Sequence, residues 1–118
     1  MKDTKEIAWR AAQALSDKKG LNIALLEVGE ISSLADYFVI CTGTSNTHVS
    51  TLCDEVEHIV VDELGEPLLH REGHRSGTWV LLDFGSVIVH VFTEDTRKFY
   101  DLERLWGDAK RIPLENLE

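Results

Sequence analysis

Two short apolar runs, separated by seven residues, constrain this chain more than any other feature. Ile23 to Val28 reads Ile-Ala-Leu-Leu-Glu-Val, and Asp36 to Ile40 reads Asp-Tyr-Phe-Val-Ile. Both have strand composition. The first is almost entirely apolar, so both of its faces must be covered. The connection, Gly29 to Ala35, is too short for a helical crossover and predicts an antiparallel pair. A sheet built on such strands needs helices packed against it, and the rest of the chain supplies them.

Residues 4 to 19 carry Ile7, Ala8, Ala11, Ala12, Ala14 and Leu15 at helical spacing, with Thr4 as a cap and Gly20 as a stop. Trp9 lies at the edge of that stripe as a packing residue. After the second strand, Cys41-Thr42-Gly43-Thr44-Ser45-Asn46 forms a small-residue turn in which Ser45 or Asn46 caps a helix to about Leu64. Its inward positions include Val49, Leu52, Cys53, Val56 and Val60. Pro67 to His70 reads as an edge strand and Arg71 to Gly77 as a loop. Thr78 to Phe84 and Ser86 to Phe92 flank Asp83-Phe84-Gly85-Ser86, a hairpin signal. A last helix opens near Thr93, with Thr96 as its cap, and continues to about Asp108. The expected class is α/β (α+β): one mixed sheet of about five strands flanked by helices. A single domain over residues 1–118 is expected, with the tail fraying from about residue 110.

Charge narrows the function. Twelve basic and 21 acidic residues leave a net charge of −9, which repels a phosphate backbone and suits a basic protein partner. Direct sequence-specific nucleic-acid binding is therefore not expected. Two cysteines, Cys41 and Cys53, form no CxxC pair and indicate neither a zinc site nor a disulfide scaffold. The N-terminal residues lack an apolar signal core, and no apolar run approaches the ~18 residues of a membrane span. The expected location is the cytoplasm.

Three features could carry chemistry or binding. The turn Gly43-Thr44-Ser45 at a helix start can cradle phosphate, with Asp83 as the candidate metal-binding acid of a nucleotidyltransferase-like enzyme. Its i+2 neighbour is Gly85, so the paired metal clamp of phosphoryl transfer is missing. The histidines His48, His58, His70, His74 and His90 show no spacing that converges three ligands, so no metal or other cofactor is expected. The third feature is apolar. Trp79, Leu81 and Asp83 share one face of their strand, and Phe99, Tyr100, Leu102, Leu105 and Trp106 form an unusually wide arc on the last helix. With Asp83, Asp101 and Glu103 around it, this reads either as extra core or as a docking patch for a basic partner.

The segments Asp36-Tyr37-Phe38-Val39-Ile40 with Thr42-Gly43 and Ser45, then Glu72-Gly73, Trp79, Leu81, Asp83, Gly85, Val89-His90, Phe92, Arg97, Phe99-Tyr100, Leu102-Glu103 and Leu105-Trp106, closely resemble the ribosomal silencing factor (Iojap-like) family. The resemblance implies a nucleotidyltransferase-like fold that has lost its catalytic acids, and a binding role without enzymatic activity. It also implies attachment to ribosomal protein L fourteen of the large subunit, obstruction of small-subunit joining, repression of translation in starvation or stationary phase, and homodimer formation. By the same resemblance the partner-binding residues are Trp79, Leu81, Asp83, Tyr100 and Glu103, with His90 and Arg97 as weaker candidates.

Overall fold

The computed structural model describes residues 3–73 and 77–114. Helix α1 (Thr4–Asp17) is capped by Asp3, whose carboxylate accepts from the Lys5 amide, rather than by the expected Thr4. Its alanine stripe lets the helix lie close on the sheet, and Ala8, Ala11, Ala12 and Leu15 are fully buried. The left-handed residue after the helix is Lys19 (φ 69°), not Gly20. Gly20 is needed for a different reason. A Cβ there would lie 2.5 Å from Cys41 Sγ.

Strands β1 (Leu21–Glu27) and β2 (Tyr37–Gly43) pair antiparallel, as the short connection requires. Helix α2 (Asn46–Glu57), capped by Ser45, runs on into a π-helical turn over His58–Glu63. Strand β3 (His70–Glu72) starts at the last residue of the expected edge strand and extends two residues into the stretch expected to be loop. Strands β4 (Trp79–Asp83) and β5 (Val87–Thr93) form the expected hairpin. The last helix is not continuous. Asp101 adopts the left-handed conformation (φ 47°) and divides it into α3 (Glu94–Tyr100) and α4 (Leu102–Leu105). Thr96 is not a cap; its hydroxyl instead pairs with that of Thr93.

Residues 110–112 form a strand within the stretch expected to fray. Strand β6 (Lys110–Ile112) pairs antiparallel with β1, so the sheet has six strands rather than five, in the order β3-β4-β5-β2-β1-β6. Among the described residues the single parallel pair, β2 with β5, runs from Tyr37↔Val87 to Gly43↔Thr93. Two apolar layers result. Leu15 of α1 and Leu52 of α2 pack on Val39, Leu82 and Val89 of the sheet. On the other face Leu26, Phe38, Ile40 and Phe92 form a second, smaller layer. Each large side chain fully buried in these layers contributes ~1.5–3 kcal/mol.

Ile112 and Leu114 pack on the first layer, so the C-terminal strand is part of the fold. A chain ended after Asp108 is expected to lose about 1–3 kcal/mol of stability in urea denaturation. An unchanged midpoint would show that β6 adds nothing.

Candidate functional site

Alternation along β4 sends Val80 and Leu82 toward α1 and α2, where both are buried. Trp79, Leu81 and Asp83 point to the opposite face and are half-buried. Register places Phe92 beside Trp79, His90 beside Leu81 and Ile88 beside Asp83. On the outer side, β3 sets Glu72 beside Leu81 and His70 beside Asp83. Helix α3 lies over β5 and β2. Leu102, Trp106 and Ala109 cover the same second layer. Tyr100 of α3 reaches Trp79 at the start of β4, while Leu81 and Asp83 stay half-buried and His70 and Glu72 of β3 are exposed.

Rings fill the edge of that covering. The Trp79 indole lies 4.9 Å from Phe92 and 4.6 Å from Tyr100, and Phe99 meets Tyr100 edge-on at 5.0 Å. Phe38 meets His90 and Trp106 edge-on beneath. Such pairs add roughly 0.5–1.5 kcal/mol each beyond burial. Phe99 and Leu105 nevertheless remain 81% and 71% exposed. Trp79 Nε1 donates to His90 Nδ1 at 3.3 Å. Indole nitrogen can only donate, so His90 carries its proton on Nε2. That buried Nε2 has no partner among the described residues. Burial pulls the His90 pKa down to about 4, so the ring is neutral at physiological pH.

Arg97 holds the covering helices to the sheet. Its Nε donates to Glu103 at 2.9 Å, and its Nη1 donates to the Asn22 carbonyl at 2.6 Å and to Thr42 Oγ1 at 2.9 Å. Asn22 is left-handed (φ 50°) at an irregularity in β1. Burial opposes charge on Glu103, but Arg97 and Arg111 outweigh it and hold the carboxyl below the usual carboxylate range. Glu103 and Arg97 thus face inward as a clamp; Trp79 meets Tyr100, while Leu81 and Asp83 continue along the same face of β4, with Asp83 at its far end. Neither Arg111 nor the carbonyl of Asn22 stands out in the sequence as a member of this clamp. Asp83 Oδ1 accepts from the Gly85 amide at 2.7 Å and fixes the β4–β5 turn.

The enzymatic alternative does not assemble. Asp83 pairs with Ile88 at the start of β5, whereas Gly43 pairs with Thr93 at its end. Five residues of strand separate them, ~17 Å along the sheet. Ser45 accepts from the His48 amide at 3.1 Å and is a helix cap. Burial pushes both thiols, Cys41 and Cys53, up to about 12, so neither is a ready nucleophile. Among the described residues no three His, Cys, Asp or Glu side chains gather to hold a metal ion, and His74 lies outside those residues. No helix among them is long and apolar enough to cross a membrane.

Comparison with known proteins bears on the same question. A family model described as "Ribosomal silencing factor during starvation" matches residues 1–118. The chain is similar to ribosomal silencing factor RsfS of Bacillus subtilis, 43% identical over 114 residues, which cover 97% of this chain and 93% of that protein. It is 40% identical to the protein of that name from Halalkalibacterium halodurans, with 95% of each chain covered. A crystal structure of a Chromobacterium violaceum protein superimposes with a TM-score of 0.85 at 40% identity, covering 90% of this chain and 88% of that one.

The His90–Trp79 pair predicts a pH effect on stability. In the unfolded chain His90 takes up a proton below ~6.5, but in the fold only below about 4. Between these values unfolding binds a proton, so the stability present above pH ~6.5 drains away as pH falls toward 4. In denaturant titrations between pH 7 and 4, wild type should lose up to about 3 kcal/mol more than His90→Phe. Equal losses in the two proteins would contradict the neutral, buried assignment.

Proposed function

The chain belongs to the ribosomal silencing factor family, and from that premise we propose that it represses translation by occupying the large ribosomal subunit. It binds ribosomal protein L fourteen and blocks the small subunit from joining. The single observation that carries this reading is the aromatic patch beside β4, where the Trp79 and Tyr100 rings lie 4.6 Å apart and Tyr100 and Phe99 remain 50% and 81% exposed. Tryptophan and tyrosine on a rigid sheet are the usual anchors of an interface, because they bury a large area at small entropic cost.

Trp79 and Leu81 form the apolar centre, Tyr100 extends it, and Asp83 belongs to an acidic rim. His90 fixes the Trp79 ring, and the Arg97–Glu103 pair fixes the helix that carries Tyr100. A net charge of −9 speeds encounter with a basic protein and discourages binding to RNA nearby. The mechanism is occlusion and requires neither catalysis nor a cofactor. The protein acts in the cytoplasm, where ribosomes are found. The exposure of Phe99 and Leu105 favours a homodimer through the same face, in competition with the ribosome.

Trp79→Ala is expected to weaken binding to purified ribosomal protein L fourteen by ~2 kcal/mol or more, read in an equilibrium titration. Leu81→Glu, which leaves the His90–Trp79 hydrogen bond intact, separates loss of docking from loss of packing. Both variants binding like wild type while folded would remove the site from this face.

A further inference from the structure

We propose that the cleft between β3 and β4 is a subsite for one lysine or arginine side chain of a basic protein partner, with Glu72 as the residue that selects it. The inference rests on the docking reading above. Glu72, Gly73, Trp79 and Leu81 line a cleft of about 240 Å³, larger than the ~150 Å³ that accommodates a benzene ring. One end is closed by backbone. Gly73 has φ 88°, and a Cβ at this position would overlap the Trp79 carbonyl oxygen. Only glycine lets the chain pass so near.

The walls and the mouth differ in chemistry. Trp79 and Leu81 are half-buried and apolar, whereas Glu72 is exposed beside Leu81 in the register of β3 with β4. Glu72 makes no ion pair among the described residues. Its neighbour Arg71 points the other way and is held by Asp54 at 3.0 Å and Glu57 at 2.8 Å. An apolar slot with one uncommitted carboxylate at its rim complements a long aliphatic stem that ends in a cation. Lysine and arginine have that shape. The same carboxylate, on a chain of net charge −9, repels a phosphate group, so the occupant is a protein side chain and not RNA.

The test is equilibrium binding of the full chain to purified large ribosomal subunits, at low and at moderate salt. Three proteins are compared: wild type, Glu72→Gln, and Asp17→Asn, which makes the same charge change at the exposed end of α1 on the other layer. Glu72→Gln should weaken binding about tenfold at low salt, and by less as salt rises. Asp17→Asn should stay within about twofold of wild type at both salts. If Glu72→Gln instead matches Asp17→Asn, the subsite is overturned while the docking reading stands. If Glu72→Gln binds more tightly than wild type, the carboxylate faces phosphate and the occupant is RNA, which also overturns it. If wild type itself fails to bind, the docking reading falls and the subsite falls with it.

Discussion

Strand β2 has no face to spare. From Phe38 to Gly43 every residue is buried, so this strand must have a complete layer on each side. The first layer is large, because α1 and α2 are long enough to cover four strands with alanine, valine and leucine. The second is made by two short helices in which no residue is fully buried. Rings make up the difference, with Phe38, His90, Phe92, Trp79 and Trp106 filling space that helices would otherwise take. The cover thins toward β4 and β3, where Leu81 and Asp83 are half-buried and Glu72 is exposed. The aromatic face is thus a by-product of how β2 is covered.

A layer this small needs more than apolar contact to hold it. Arg97 supplies the tie, with its side chain only 12% exposed. One guanidinium bonds a carboxylate on α4, a carbonyl on β1 and a hydroxyl on β2. A planar fork with five donors suits this task, and a lysine could not span the same three acceptors. The ion pair is shielded from solvent, so its removal would leave Glu103 charged and partly buried rather than merely unpaired. The clamp also explains why Asn22 departs from regular strand geometry, since the irregularity aims its carbonyl at Arg97. A binding platform benefits from such a frame, because rigid anchors lose little entropy on docking.

Much of this was legible from residue patterns. The seven-residue connection required β1 and β2 to be antiparallel, and Asp83-Phe84-Gly85-Ser86 marked the hairpin through a side-chain-to-backbone bond that operates locally. Strict alternation alone puts Trp79, Leu81 and Asp83 on one face of their strand. What escaped was set by distant partners. Asp101 sits within an apolar arc that reads as unbroken helix, yet the chain turns there to bring Leu102 and Trp106 onto Phe38. Lys110 to Ile112 is too short to announce itself as a strand, and exists because β1 otherwise presents an unpaired edge. Glu103 reads from the sequence as part of an acidic rim, and by resemblance as a partner-binding residue. Its geometry ties it inward to Arg97 and Arg111, which local sequence could not reveal.

The central claim is occlusion, and it is tested most directly by subunit joining. Purified small and large ribosomal subunits would be mixed under joining conditions over a concentration series of the protein, while joined particles and protein bound to the large subunit are measured in the same sucrose gradients. The account predicts that joined particles fall in step with occupancy of the large subunit, and that no bound protein travels with the joined peak. Full occupancy of the large subunit with undiminished joining would contradict it.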